Sequence, residues 1–321
     1  MALRAYIRRK LSASLPGRTI IHSSRKTYLP GLNGFSLYDV WNPFVKQLRK
    51  TSMVERASGI SFNIVMAIPP TLIFIFTLIP YLPISRSFIN QLFGLIRDII
   101  PGEKNNAVII HFLRDFIDQP RNELLSFGLL LAIFFSSNAM MGVLRAFDKN
   151  YPGFNKRKGI QKRTIALKLT LLVFTLIFFC VLLLVAQDVV LKYLGVKSAL
   201  LRSIIHNTRW LLIILLTFYI VSFIYRHGPP VTKKWPLFTP GAVIATSLMI
   251  LATALFSYWV THFSNYNKVY GSIGAVFILM SLIYLNSLAL LMGFELNVVL
   301  SHLRMQKRET ALASASGNNQ P

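Results

Sequence analysis

Residues 165–187 read IALKLTLLVFTLIFFCVLLLVAQ, and this stretch decides the fold. It contains one charged side chain, Lys168, among otherwise apolar or weakly polar residues. A bilayer core about 30 Å thick is crossed by about 20 consecutive apolar residues in helical conformation. The stretch therefore predicts a transmembrane helix.

Five further stretches have a similar apolar character. With the first, the predicted spans cover residues of about 57–82, 124–144, 165–187, 210–225, 241–262 and 271–300. A soluble domain can bury one such helix, but six are not expected in a soluble chain of 321 residues. The predicted fold class is therefore all-α: a polytopic membrane bundle of six transmembrane helices, spanning 57–300, with short amphipathic surface helices.

The composition agrees with a membrane protein. Hydrophobic residues make up 54% of the chain and charged residues 14%, whereas soluble proteins carry about 25% charged residues. The charge that remains is basic, with 35 Lys and Arg against 11 Asp and Glu. One cysteine, Cys180, excludes an intrachain disulfide and a cysteine-ligated metal cluster.

The basic residues also predict the orientation. Most of them precede the first span, follow the last, or lie in the connections between spans two and three and between four and five. These four segments share one side of the membrane, and positively charged loops are retained in the cytoplasm. We therefore expect a multi-pass protein of the cytoplasmic (inner) membrane with both termini in the cytoplasm.

Four segments are predicted outside the bilayer. Residues 1–34 are expected to form a basic flexible cytoplasmic tail, and 301–321 a second cytoplasmic tail. Residues 35–56 predict an amphipathic helix that either lies on the inner leaflet or packs on the cytoplasmic ends of the bundle. Residues 83–123 predict an external segment of two short amphipathic helices. The expected partners are the lipid bilayer and anionic lipid head groups at the cytoplasmic face, and a homo-oligomer is left open.

Polar residues inside the spans are the candidate site, because hydrocarbon does not solvate them. Glu295 is the one acid within a predicted span, and we expect it to pair with Arg56 or Arg145. The candidates either line a polar cavity for a substrate or a proton, or lock the helices together through interhelical contacts. They share the cytoplasmic half of the bilayer and comprise Asn63, Asn138, Glu295, Asn297, Arg56 and Arg145. Pro69 and Pro70 are expected to break the first helix near mid-membrane.

These residues resemble a known family. The stretch 225–300 is similar to the C-terminal half of the YihY/BrkB family of inner-membrane proteins. The resemblance is carried by Tyr225, Pro229 or Pro230, Pro240-Gly241, Tyr270-Gly271-Ser272, Gly274 and Gly293-Phe294-Glu295-Leu296-Asn297, and by Ala57, Ser61, Phe62 and Pro69 in the first span and the 145–150 stretch. It implies six helices with both termini inside. It implies no single activity, since members are described as virulence or serum-resistance factors, as transporters, and under an old ribonuclease BN label.

Three functions remain to be weighed. A transporter or lipid flippase is favoured by the prolines of the first span, by the polar residues in the cytoplasmic half and by the small mass of chain outside the membrane. No G-x-x-x-x-G-K-[ST] motif for ATP occurs in the chain, so transport is expected to be passive or ion-coupled. The alternative is a non-catalytic envelope scaffold or virulence-associated membrane protein. Ribonuclease activity is disfavoured, because the six histidines are scattered without metal-ligand spacing. We therefore expect no enzyme, no cofactor or metal, and no specific nucleic-acid partner.

Overall fold

The computed structural model describes most of the chain. The described residues are 35–78, 81, 110, 122–148, 151, 153–155, 157–193, 199–262 and 265–317. The predicted tail 1–34 and nearly all of the predicted external segment 83–123 lie outside them.

The described part of the chain folds into helices. The main helices are α1 (Leu37–Lys50), α2 (Met53–Leu78), α3 (Asn122–Phe147), α4 (Gly159–Tyr193), α5 (Ala199–His227), α6 (Pro240–His262) and α7 (Asn265–Gly317). Six of them, α2 to α7, are long and apolar enough to cross a membrane. The predicted fold class, an all-α polytopic bundle, is thereby confirmed.

The predicted amphipathic segment 35–56 is divided between two helices. Ser36 caps the start of α1 by accepting a hydrogen bond from the backbone N–H of Asp39. Thr51 ends α1 in extended conformation, and its backbone N–H donates to the carbonyl of Gln47. Because α2 begins at Met53, Arg56 lies in the first turn of the membrane-crossing helix and not in the surface helix.

The expected break at Pro69 and Pro70 is wrong. Both prolines lie inside α2, which continues without interruption to Leu78. Proline fixes φ near the helical value, but it removes an N–H donor and its ring crowds the carbonyl four residues earlier, which disfavours the interior of a helix in water. Membrane helices tolerate this loss because neighbouring groups satisfy the freed carbonyls. Thr71, the next residue, donates its hydroxyl to the carbonyl of Ala67 over 2.7 Å, beside the Val65 and Met66 carbonyls that the prolines leave without their helical donors.

The six membrane-crossing helices form a ring in sequence order. Each helix from α2 to α6 packs against the next one in the chain, and α7 packs against both α6 and α2. Helix α1 lies across α7, where Val40 and Phe44 pack with Leu296 and Leu300. The sequence allowed the amphipathic helix either to lie on the inner leaflet or to pack on the ends of the bundle. In the structure it packs on the bundle.

Packing is concentrated at one end of the ring. This closed end is where α2, α4 and α6 begin and where α3 and α5 finish. Its core is built from buried residues of all six helices, among them Ile60, Phe147, Leu169, Tyr225, Ala242 and Phe294. Helix α7 extends through it and beyond, over a total length of about 80 Å at 1.5 Å per residue. The first part of the predicted tail 301–321 therefore continues a transmembrane helix to Gly317.

The other half of three helices is much less packed. We define the open half as residues 210–220 of α5, 247–260 of α6 and 276–286 of α7, in which no side chain is buried. A helix packed against a core buries a stripe of about three or four side chains in every two turns. Phe218, Ile220, Met249 and Tyr284 are partly buried and still pack against the core at the near edge of the open half. Beyond them, the helices α5 to α7 separate from the core as they leave the closed end.

Candidate functional site

Glu295 is the centre of a polar cluster at the closed end. Its side chain is fully buried on α7. Arg56 of α2 pairs with Oε1 through its Nη1, and the hydroxyl of Tyr151 donates to the same oxygen over 2.7 Å. Nε2 of Gln47 on α1 donates to Oε2 over 3.1 Å. This Glu295 cluster therefore ties together α1, α2, α7 and the connection between α3 and α4.

The arginine of the pair is also removed from water. The Arg56 side chain is 7% exposed, and its Nε and Nη2 have no hydrogen-bond partner among the described residues. Its guanidinium carbon lies 5.9 Å from the centroid of the Phe294 ring, which offers a weak cation–π attraction. A buried charge is tolerated only while its partner stays in place. Each member of the pair therefore depends on the other.

Aromatic side chains surround the cluster. The rings of Phe147 and Phe294 stack with centroids 4.1 Å apart and planes 9° apart. Tyr225 and Trp235 pack against Phe294 from other directions, with centroids 6.4 Å and 5.9 Å away. All four rings are buried. This packing excludes water from the closed end on the side of the bundle core.

Tyr151 takes part as a neutral donor. It lies in the connection between α3 and α4, outside the membrane-crossing helices. Burial raises its pKa well above the usual value, and the negative charge of Glu295 raises it further, although Arg56 acts in the opposite direction. The phenol therefore stays protonated at physiological pH, as donation to a carboxylate requires.

Two connections close over the same end. Arg157, after α3, donates to the carbonyls of Gly228 and Pro229, after α5, over 2.8 Å each. Phe154 pairs with Val231 in a single antiparallel bridge. Gly153, which directly precedes Phe154, has a φ of +79°, a left-handed conformation that favours glycine. The two connections thus form one layer across the closed end.

The other predicted site residues do not join Glu295. Asn297 binds the start of α6, accepting from the Gly241 N–H and donating to the Thr239 hydroxyl. Asn138 accepts from Arg163, which joins α3 to α4. Asn63 donates to the carbonyl of Gly59 in its own helix. Arg145 is exposed and donates to the carbonyl of Met141 in its own helix. The six candidates therefore occupy five separate places, and the structure brings only Arg56 and Glu295 together.

Two members of the cluster were not predicted from the sequence. Gln47 follows Val40 and Phe44 at helical spacing, so it is a polar residue in the apolar stripe of α1. That position was a usable signal. Tyr151 lies in a connection without periodic pattern, and only the tertiary structure brings it to Glu295.

Within the described residues, no group of three or more His, Cys, Asp or Glu side chains is arranged to hold a metal ion. The chemistry available at the closed end is that of one buried ion pair with two neutral donors.

The fold and this cluster define a polytopic helical membrane protein with a buried ion pair at one end of its bundle. A family model described as virulence factor BrkB matches residues 44–318. The chain belongs to this family, and the predicted resemblance is confirmed.

Curated relatives carry names of two kinds. The chain is 29% identical, over 77% of its length and 89% of the relative, to a Bacillus subtilis (strain 168) protein named ribonuclease-like protein YfkH. It is 24% identical to a UPF0761 membrane protein of Tolumonas auensis, over 78% of the chain and 82% of the relative. A UPF0761 membrane protein of Chromohalobacter salexigens is 26% identical, and the matched region spans 60% of its length. No solved structure matches the chain.

Proposed function

We propose that the protein moves an amphiphile such as a lipid across the cytoplasmic membrane, passively or coupled to an ion gradient. The observation that supports this proposal is the contrast between the packed closed end and the unpacked open half of one helical ring. A solute pathway that is closed on one side and accessible from the other corresponds to one state of an alternating-access cycle.

The open half supports an accessible interior. A helix in a ring has one face toward lipid and one toward the interior. Over residues 276–286, three turns of α7, no side chain on any face is buried. The inward face of α7 is therefore accessible beyond Tyr284, which is partly buried against the core, and the same argument applies to 210–217 and 250–260.

The residues of the open half favour an amphiphilic substrate. None of the residues 210–220, 247–260 and 276–286 is charged. The polar contacts there include that of the Asn286 amide, which donates to the Thr253 hydroxyl over 3.3 Å. Such a surface accommodates acyl chains and offers little to a small hydrated ion, which would need charged or carbonyl ligands.

The closed end is the proposed cytoplasmic side. Its helix ends and connections carry exposed or partly exposed basic residues, among them Arg145, Arg157, Lys158, Arg226 and Lys233. Positively charged loops are retained inside the cell, which supports a cytoplasmic position for this end and for both termini. The same charges would attract anionic lipid head groups to this face.

Glu295 is the proposed coupling group. Opening the closed end would require α2 to separate from α7, and the Arg56–Glu295 pair joins these two helices. A buried pair of this kind resists separation unless one member is neutralised or finds new partners. Protonation of Glu295, or pairing of its carboxylate with another cation, would therefore permit the closed end to open.

Glutamine at position 295 can neither release a proton nor form an ion pair with Arg56, so the closed state cannot be re-formed in each cycle. Glu295→Gln is therefore expected to slow lipid movement at least about tenfold, the rate change for about 1.4 kcal/mol in a barrier. The measurement is the rate at which a fluorescent phospholipid crosses the bilayer of vesicles containing the purified protein. The matched control is Glu309→Gln, an exposed acid on the same helix, which should leave the rate unchanged. Detergent elution and thermal unfolding verify that both variants are folded.

Two results would contradict this account in different ways. Equal rates in Glu295→Gln and the wild type would remove Glu295 from the mechanism. A wild-type protein that moves neither phospholipids nor a labelled single-chain amphiphile would remove the transport proposal and favour the envelope scaffold.

Water access to the open half can be tested separately by thiol labelling. Ser281 lies on the same face of α7 as Tyr284 and Leu288, about one turn farther from the closed end. Tyr284 and Leu288 both pack against the core. Leu279 lies on the opposite face. In a Cys180→Ala background, a cysteine at 281 is expected to react with a membrane-impermeant reagent at least about tenfold faster than one at 279, because thiolate forms in water and not in hydrocarbon. Equally slow labelling at both positions would indicate a dry interior.

A further inference from the structure

A second polar site lies beside α7, away from the Glu295 cluster. It is a cavity of about 120 Å³ between the segment that precedes α6 and the end of α7. A water molecule needs about 10–15 Å³ of such space, so the cavity can hold several waters or a tetrahedral phosphate. Its wall is formed mainly by Trp235, Phe238, Thr239, Asn297, Leu300 and Arg304. Because Asn297 follows Glu295 by two residues, the two side chains leave α7 on nearly opposite faces.

The inner wall offers a hydrogen-bond donor. Asn297 is 5% exposed, and its Oδ1 already accepts from the backbone N–H of Gly241. One hydrogen of Nδ2 is used by the Thr239 hydroxyl, while the second has no acceptor among the described residues. The first N–H groups of α6 are taken by Thr239 and Asn297, so the helix terminus itself is satisfied.

The outer wall is positively charged. Arg304 is one of the residues that line the cavity, and Lys233 and Lys234 are exposed on the segment leading to it. Neither residues 226–240 nor residues 296–308 include an acidic side chain. A guanidinium binds phosphate through two parallel N–H donors. The chemistry therefore fits a phosphate-bearing anion.

The edge of the cavity is apolar and faces outward. Phe238 is 75% exposed, and its ring centroid lies 5.3 Å from that of Phe218 in the membrane-crossing helix α5. A soluble anion gains nothing from an exposed phenyl ring, whereas an acyl chain does. Aromatic side chains next to basic groups are typical of the level of lipid head groups.

We propose that this cavity binds the phosphate head group of an anionic phospholipid, with Arg304 and Asn297 on the phosphate and Phe238 beside the acyl chains. The site does not depend on the transport proposal, because a bound lipid can also stabilise or regulate a membrane protein without being moved.

The test is lipid binding to the purified full chain in detergent. Phosphatidylglycerol is titrated against the protein, and bound lipid is counted by native mass spectrometry. Arg304→Gln is expected to bind about tenfold more weakly than the wild type, and Phe238→Ala is expected to bind more weakly by a smaller factor. Arg308→Gln, which removes the same charge from an exposed position four residues further on, is the matched control and should bind as the wild type does.

Competition distinguishes a lipid from a free anion. Neither phosphatidylcholine nor inorganic phosphate at millimolar concentration is expected to displace phosphatidylglycerol. Displacement by inorganic phosphate would show a site for a soluble anion, and equal losses in Arg304→Gln and Arg308→Gln would show diffuse attraction; either result overturns the proposal. If Arg304→Gln does not fold, Arg304→Lys replaces it, since it keeps the charge and loses the paired donors. If Arg304→Lys and Phe238→Ala both bind phosphatidylglycerol as tightly as the wild type does, the proposed lipid site is overturned.

Discussion

Replacing Arg56 with methionine is expected to lower the free energy of unfolding by about 3–5 kcal/mol, because it leaves the buried carboxylate of Glu295 without its cation. The remaining donors, Tyr151 and Gln47, are neutral and stabilise a carboxylate less than an ion pair does. The measurement is unfolding of the purified protein in mixed detergent micelles with increasing denaturing detergent.

Two further variants distinguish the effect of losing the ion pair on stability from the effect of losing a long side chain. Arg145→Met makes the same substitution at an exposed arginine and is expected to change stability by no more than about 0.5 kcal/mol. The double variant Arg56→Met/Glu295→Leu removes both charges and should recover at least half of the loss, because apolar residues replace buried ion pairs without penalty in many cores. A double variant as unstable as Arg56→Met alone would show that Glu295 is not the source of the effect.

Gly293→Ala is expected to destabilise the bundle by about 2–3 kcal/mol through overpacking. A methyl group at this position would overlap the carbonyl oxygen of Gly241 and approach the Ala245 Cβ to 2.6 Å and the Tyr225 hydroxyl to 2.7 Å. The first of these contacts is with the backbone of α6, which cannot move aside as a flexible side chain can. Helices α6 and α7 would have to separate at their closest approach, where small residues permit contact.

Gly59→Ala is the matched control for this prediction. Gly59 is also inside a membrane-crossing helix, but a methyl group there would meet nothing within 4 Å. Its replacement should therefore stabilise the protein by about 0.5–1 kcal/mol through the better helix propensity of alanine. The same unfolding measurement applies to both variants. Gly293→Ala at least as stable as the wild type would contradict a close crossing of α6 and α7.

The pairing of Glu295 shows how much of the candidate site could be predicted from the sequence. The only acid in a predicted span had to have a partner, and depth along the helices limited the choice to Arg56 and Arg145. Depth does not define the rotation of one helix against another, so the choice between the two arginines required the packed bundle. In the structure Arg145 donates to a carbonyl of its own helix, and Arg56 pairs with Glu295. Asn297, on the opposite face, was foreseeable as separate from Glu295, but its partners at the start of α6 were not.

The proline pair shows the opposite case, in which a local rule failed. Proline removes a donor and disfavours the interior of helices in water, which predicted a break at Pro69 and Pro70. In a membrane the unfolded alternatives expose more unsatisfied backbone than the two freed carbonyls do. The helix α2 therefore continues through Pro69 and Pro70.

The amino-acid sequence by itself determined the class of protein and the six crossing segments, since the thickness of the bilayer imposes a length and an apolarity that can be recognised in each segment separately. The tertiary structure decided which helices meet: the return of α7 to α2, the position of α1 across α7, and the meeting of Gln47, Arg56, Tyr151 and Glu295. These contacts join residues up to 248 positions apart. They depend on the rotation and tilt of rigid helices, which are set by side-chain fit between neighbours and leave no periodic trace in any one segment.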